Sequence, residues 1–187
     1  MRRLIAMFLT TILLFLGACD REEEHLSPAI DFRANLVQAG GCSFEAEISA
    51  DFGDTAQSFR LACDTDAQGK IQLTILEPET LAGITATVSE GGGRLNYEGL
   101  SVMLGSLADN TLAPAAAPGL ILESWISGYI LWAGENEGIY QVTYQQELDG
   151  VLFQIDTFLK NNLPISAEVC YNNYRVLELK IEEFQFH

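Results

Sequence analysis

The chain is poor in histidine. Only His25 and His187 occur in 187 residues, one near each end. That argues against Ser-His and Cys-His nucleophilic sites and against His-based zinc. Positive charge is also scarce, with 10 Lys+Arg against 26 Asp+Glu and a formal net charge of −16. Binding to nucleic acid, or to an anionic membrane through a basic patch, is therefore disfavoured. No apolar run is long enough for a typical membrane span, because Leu4 to Leu16 is the longest and no stop-transfer pattern follows it. The run Gly91-Gly92-Gly93 opens no helix with a following lysine, so it is no phosphate loop. No loop has EF-hand ligand spacing.

What is present begins at the N-terminus. Arg2 and Arg3 precede the apolar run, and Leu16-Gly17-Ala18-Cys19 closes it, which reads as a secretory signal over residues 1–18. The quartet resembles the lipobox of bacterial lipoproteins. By that resemblance Cys19 is diacylated, becomes the mature N-terminus and holds the protein at the outer face of the bacterial cytoplasmic membrane. Residues 19–27 then form an acidic tether through Asp20-Arg21-Glu22-Glu23-Glu24-His25, and residues 28–187 form a single domain. Loss of the signal removes two of the basic residues and none of the acidic ones. A leash of about a dozen residues reaches a few tens of ångströms, so the anchor favours a fixed station over a shuttle.

Within the domain, Ser27-Pro28 and Gly40-Gly41 bracket a predicted helix over 28–39, with Ile30, Phe32, Leu36 and Val37 on its apolar stripe. Alternation then dominates. Cys42, Phe44, Ala46 and Ile48 alternate with polar residues, Asp51 to Asp54 turn the chain, and Phe59, Leu61 and Cys63 return. A hairpin centred on that turn sets Phe44 against Leu61, Ala46 against Phe59 and Cys42 against Cys63. The last pair is then placed for a disulfide, which an extracytoplasmic address permits. Cys170 is left over, and its pairing with either of the other two stays open.

Further strands are predicted around Ile71 to Ile75, Ile84 to Val88, Leu95 to Tyr97, Leu100 to Leu104, Tyr140 to Tyr144, Val151 to Leu159, Ile165 to Tyr171 and Leu177 to Phe186. Asp149-Gly150, Asn161-Asn162 and Asn172-Asn173 are turn dipeptides. Leu177, Leu179 and Ile181 are out of phase with Phe184 and Phe186, which predicts a bulge near Glu182-Glu183. Residues 120–128 read as one short internal helix with Ile121, Leu122, Trp125 and Ile126 on its apolar side. About nine strands and two helices make a mainly β (α+β) fold: a large curved antiparallel sheet, or unclosed β-barrel, with helices on its concave face.

From residue 31 to the end, the chain resembles the lipoprotein-carrier superfamily typified by a periplasmic lipoprotein chaperone and its outer-membrane receptor. The resemblance rests on the leading helix, the run of hairpins, the strand Ile71 to Leu76 followed by Pro78, the Leu81-Ala82-Gly83-Ile84 step and the Pro-rich approach to the helix around Trp125. Together with the lipobox it looks closest to lipid-anchored members of spore-forming bacteria, some of them germination lipoproteins. The resemblance implies an apolar cavity under helices that accepts acyl chains.

The leading expectation is therefore a non-enzymatic protein without metal or cofactor, binding an acyl chain or other hydrophobic ligand with Phe44, Phe59, Ile121, Trp125 and Phe153 as lining. The same aromatics serve equally as the filling of a closed core. The competing reading is a tethered partner of a cell-envelope enzyme, and a weaker third is a hydrolase built on Cys170 or on one of the acidic pairs Asp64/Asp66, Glu135/Glu137 and Glu182/Glu183.

Overall fold

A computed structural model describes residues 20–51, 56–66, 70–88, 96–97, 100–101, 108, 112 and 114–187. Cys19, the signal, the Gly91 to Gly93 tip and most of the 102–113 segment lie outside the described residues. The elements are helix α1 (Asp20–Ala39), strands β1 (Cys42–Asp51), β2 (Ala56–Thr65), β3 (Ile71–Glu77), β4 (Thr85–Val88), β5 (Asn96–Tyr97) and β6 (Leu100–Ser101), and helix α2 (Ala117–Ser127). Strands β7 (Tyr129–Asn136), β8 (Ile139–Leu148), β9 (Val151–Lys160), β10 (Leu163–Tyr171) and β11 (Tyr174–Phe186) follow.

Nine strands form one antiparallel sheet in the order β4-β3-β2-β1-β11-β10-β9-β8-β7, with β5 and β6 as a separate pair. The first and last long strands meet at its centre, and β4 and β7 are left as edges, so the barrel is unclosed. Three hairpins are tied by the dipeptides that the sequence offers. Asp149-Gly150, Asn161-Asn162 and Asn172-Asn173 all take positive φ at both positions. Such turns match the twist of the flanking strands, and Asn, Asp and Gly tolerate them best.

Strand β7 was not foreseen. A two-residue Glu137-Gly138 turn joins it to β8, and Tyr129 to Asn136 pair with that strand. As an edge strand β7 keeps Tyr129, Leu131 and Trp132 exposed, so it lacks the inward alternation that marks the other strands.

The first hairpin is shifted by two residues from the expected register. Phe44 faces Cys63, Ala46 faces Leu61 and Ile48 faces Phe59. A shift of two keeps every side chain on its face, so alternation cannot detect it. The expected Cys42–Cys63 disulfide is overturned, since both are free, buried thiols. Cys42 instead lies against Thr65, whose hydroxyl accepts from the Cys42 N–H at 2.7 Å and donates to its carbonyl at 3.0 Å.

Helix α1 begins at Asp20, so the expected tether is helical and leads straight into the domain. Pro28 sits inside it and removes one backbone donor. The Tyr140 hydroxyl bonds to the backbone at Ala29 and donates to the His25 carbonyl, so a side chain from the sheet enters the helix ladder at this point. Of the expected stripe Phe32 and Leu36 are buried, together with Ala29, while Ile30 and Val37 face solvent. On α2, Leu120, Ile121, Leu122 and Trp125 are buried, whereas Ile126 is not. Gly128 ends the helix where a Cβ would meet the Ser124 carbonyl oxygen at 2.5 Å.

Candidate functional site: the helix-covered concave face

The concave face is built by alternation. Ala46 and Ile48 on β1, Val142 and Tyr144 on β8, Ile155 on β9, Val169 on β10 and Leu177 and Leu179 on β11 all point inward and are buried. The bulge on β11 is where the sequence placed it. Between Ser43/Gln185 and Glu45/Glu182 one residue of β1, Phe44, opposes two of β11, Glu183 and Phe184, and Glu183 has φ 52°. This extra residue brings Phe184 and Phe186 onto the same face as Leu179.

Helix α2 inserts Trp125 into that face. Its ring lies 5.4 Å from Phe32 in an edge contact, 6.0 Å from Phe44 and 6.2 Å from Phe184. Its indole N–H donates to Thr157 Oγ1 at 2.9 Å, so the polar atom of the buried indole is satisfied. Of the five expected lining residues, Phe44, Ile121 and Trp125 are buried in this layer. Phe153 is also buried, but on β9 opposite Gln146 and 5.8 Å from Tyr171. Phe59 lies opposite Ile48 on β2. None of the five is more than 6% exposed.

Arg33 went unnoticed in the sequence, yet it fastens the two helices together. From α1 its Nε donates to the Trp125 carbonyl at 2.7 Å, and Nη2 donates to the carbonyls of Ser124 at 3.2 Å and Gly128 at 2.6 Å. They lie at the C-terminal end of the helix, where its dipole is negative, and the Ser124 carbonyl also accepts from the Gly128 N–H at 2.9 Å. The guanidinium carbon also sits 5.6 Å from the centre of the Tyr144 ring. The available signal was a lone arginine one residue from Phe32, on the face of α1 that meets the sheet.

The other candidate chemistry is dispersed. Burial pushes the Cys42 thiol up to about 11 and raises Cys63 as well, which keeps both protonated and unreactive. Cys170 is half-buried on β10, and its pKa is raised by burial first and then by the carboxylates of Asp156 and Glu168. Asp66 accepts from the Lys70 N–H at 2.9 Å in the β2–β3 turn, and Glu182 reaches Arg60 at 3.4 Å. Glu135 and Glu137 are exposed. His187 stands 4.0 Å from Asp64. Among the described residues no group of three His, Cys, Asp or Glu side chains could hold a metal ion, and no helix is long and apolar enough to cross a membrane.

Two hollows, of about 360 and 320 Å³, open along β1 to β3 and β11, the first bordered by Phe44 and Cys63 and the second by Phe59 besides their polar residues. The first borders Glu45, Asp64 and Gln72, and the second Glu47, Arg60 and Glu77. Arg60 also bridges to Glu45 at 2.7 Å across this surface. Acidic side chains line both hollows, and the first also reaches Phe44, a neighbour of Trp125.

No family model matches this sequence, and no curated protein does. Solved structures do resemble it. A LolA superfamily protein from Nitrosomonas europaea is 10% identical with a TM-score of 0.42, over 87% of this chain and 93% of that one. A lipoprotein-sorting protein domain from Vibrio parahaemolyticus is 11% identical with a TM-score of 0.38, over 88% and 93%. The Pseudomonas aeruginosa MucA/MucB complex is 16% identical with a TM-score of 0.38, over 84% of this chain and 56% of that one.

Proposed function

We propose that this chain is a lipid-anchored, non-enzymatic, extracytoplasmic protein whose unclosed barrel receives an acyl chain or similar hydrophobic ligand between the concave face and its helices. The observation that carries this reading is the way α2 is held. Its buried face is apolar, Trp125 bonds to Thr157 on the sheet, and Arg33 fastens its C-terminal end. A layer seated on an apolar face by few polar links can be exchanged for another apolar body at small polar cost. On this reading Trp125 fills the space that the ligand takes.

The lipobox reading adds the address: cleavage after Ala18, acylation of Cys19 and attachment to the outer face of the cytoplasmic membrane, as in the germination lipoproteins that the sequence resembles. With α1 starting at Asp20, the domain sits against its anchor with little slack, which suits local uptake or presentation of a ligand.

A second reading is favoured by the closed state of the Trp125 layer together with the exposed Tyr129, Leu131 and Trp132 on the free edge strand β7. In it the core is permanently filled, and the protein is a tethered partner of a cell-envelope enzyme. Native mass spectrometry of the full chain carrying Cys19→Ser separates the two. Co-purified lipid, or uptake of a fatty-acid probe, supports the carrier. A bare mass with no uptake, alongside capture of one envelope enzyme, overturns it in favour of the partner.

A further inference from the structure

The Tyr144 hydroxyl is a buried polar group without a partner among the described residues. Tyr144 is 0% exposed, and its Oη has no hydrogen-bond partner among the described residues. A buried hydroxyl left unpaired is destabilising, and a fold that keeps one usually has a use for it. A phenylalanine would fill the same space without that cost.

Arg33 is the second anomaly, and it is adjacent. In a chain with 26 acidic residues it has no carboxylate partner among the described residues, whereas Arg60, Arg175 and Lys180 all have one. Its partners are neutral carbonyls at the end of α2 and the face of the Tyr144 ring. Nη1 makes no bond to a described residue. Around this pair the wall is apolar, with Ile130 and Ile155 facing Tyr144 from β7 and β9. Tyr140 lies one step along the same face, but its hydroxyl is engaged by α1.

The geometry points to an acidic head-group site in which the Tyr144 hydroxyl donates to a long-chain carboxylate while Arg33 supplies the counter-charge, exchanging the α2 carbonyls for carboxylate oxygens. The planar guanidinium matches a carboxylate in two parallel bonds, and the carboxylate brings a full negative charge that the neutral carbonyls lack. Burial pushes the Tyr144 pKa up to about 12, so the hydroxyl remains a donor at neutral pH. Binding the acid would also release the end of α2, which couples occupancy to movement of the helix layer. This inference rests on the concave face being a ligand site, and it adds the ligand's class: a long-chain acid in preference to a neutral lipid.

The test is calorimetric titration of the full chain carrying Cys19→Ser with laurate and with dodecanol at pH 8, below their aggregation limits. The expected result is a preference for laurate of about tenfold or more, the size of one charge-assisted hydrogen bond. Tyr144→Phe, which keeps the shape and removes the orphan hydroxyl, should reduce that preference severalfold while dodecanol binding is retained. Equal affinity for acid and alcohol overturns the head-group site and leaves the hydrophobic site standing, as does an undiminished preference in Tyr144→Phe. Binding of neither ligand overturns the carrier reading together with this one.

Discussion

The indole nitrogen of Trp125 on α2 donates to the hydroxyl of Thr157 on β9 at 2.9 Å, through the middle of an otherwise apolar layer. Both residues are fully buried. The bond therefore orients the helix on the sheet, while the surrounding apolar area supplies most of the attraction.

Removing the ring should be costly. Trp125→Ala is expected to lose about 3–5 kcal/mol in urea denaturation, through lost apolar contact and the cavity left beside Phe32 and Phe44. Thr157→Val, which strands the indole N–H, should lose about 1–3 kcal/mol. The double variant Trp125→Phe/Thr157→Val should lose less than the sum of its single variants, because each single change leaves the other partner unsatisfied. Strict additivity would show that the bond does not form in solution.

The Arg33 fastening predicts a local effect. Arg33→Met, which keeps the aliphatic stem, should speed amide hydrogen exchange in the last turn of α2 and the start of β7. Exchange in the β1–β2 hairpin should not change, since Arg33 makes no bond there. A uniform acceleration across the sheet would mean that Arg33 supports the whole fold and does not fasten one helix.

The buried thiols yield two linked outcomes. Peptide mapping without reduction should show no bond between Cys42 and Cys63, and iodoacetamide at pH 8 should leave both unmodified until the chain is unfolded. A mapped Cys42–Cys63 crosslink would restore the register that the structure rejects.

Alkaline stability follows from the same burial. The folded Cys42 keeps its proton up to about 11, whereas the unfolded chain releases it near 9.0. Between those values the native state binds more protons than the unfolded state, so stability falls as pH rises, by up to about 3 kcal/mol for this group. Tyr144 acts in the same sense between 10.0 and about 12. Urea denaturation of Cys42→Ala and Tyr144→Phe should show a shallower decline from pH 8 to 11 than the parent chain.

The bulge has its own signature. Glu183 holds φ 52°, a region that costs non-glycine residues roughly 1–2 kcal/mol and β-branched ones more. Glu183→Gly should be neutral or stabilising, and Glu183→Val should destabilise. If both behave alike in thermal denaturation, the extra residue sits elsewhere in β11.

Much of this fold was written locally. Period-two alternation marked the inward faces of β1, β2, β8, β9 and β11, and Asn-Asn and Asp-Gly pairs marked three turns, because the pleat and the positive-φ turn act through neighbouring residues. The phase break between Ile181 and Phe184 located the bulge for the same reason. Edge strand β7 was not legible, since a strand with one free side needs no apolar alternation. Two stripe positions on α1 were misjudged because Ile30 and Val37 are as apolar as the residues that are buried.

The sequence by itself determined the fold class, the bulge, the two helices and the acidic, histidine-poor surface, all consequences of composition and of short-range periodicity. Only the tertiary structure decided the hairpin register that parts Cys42 from Cys63, because a two-residue slip preserves every face. It also decided the meeting of Arg33 with the end of α2, and of Tyr144 with Arg33. Those pairs are 91 to 111 positions apart, and no local pattern records a contact that exists only once the sheet has curled and both helices have settled on it.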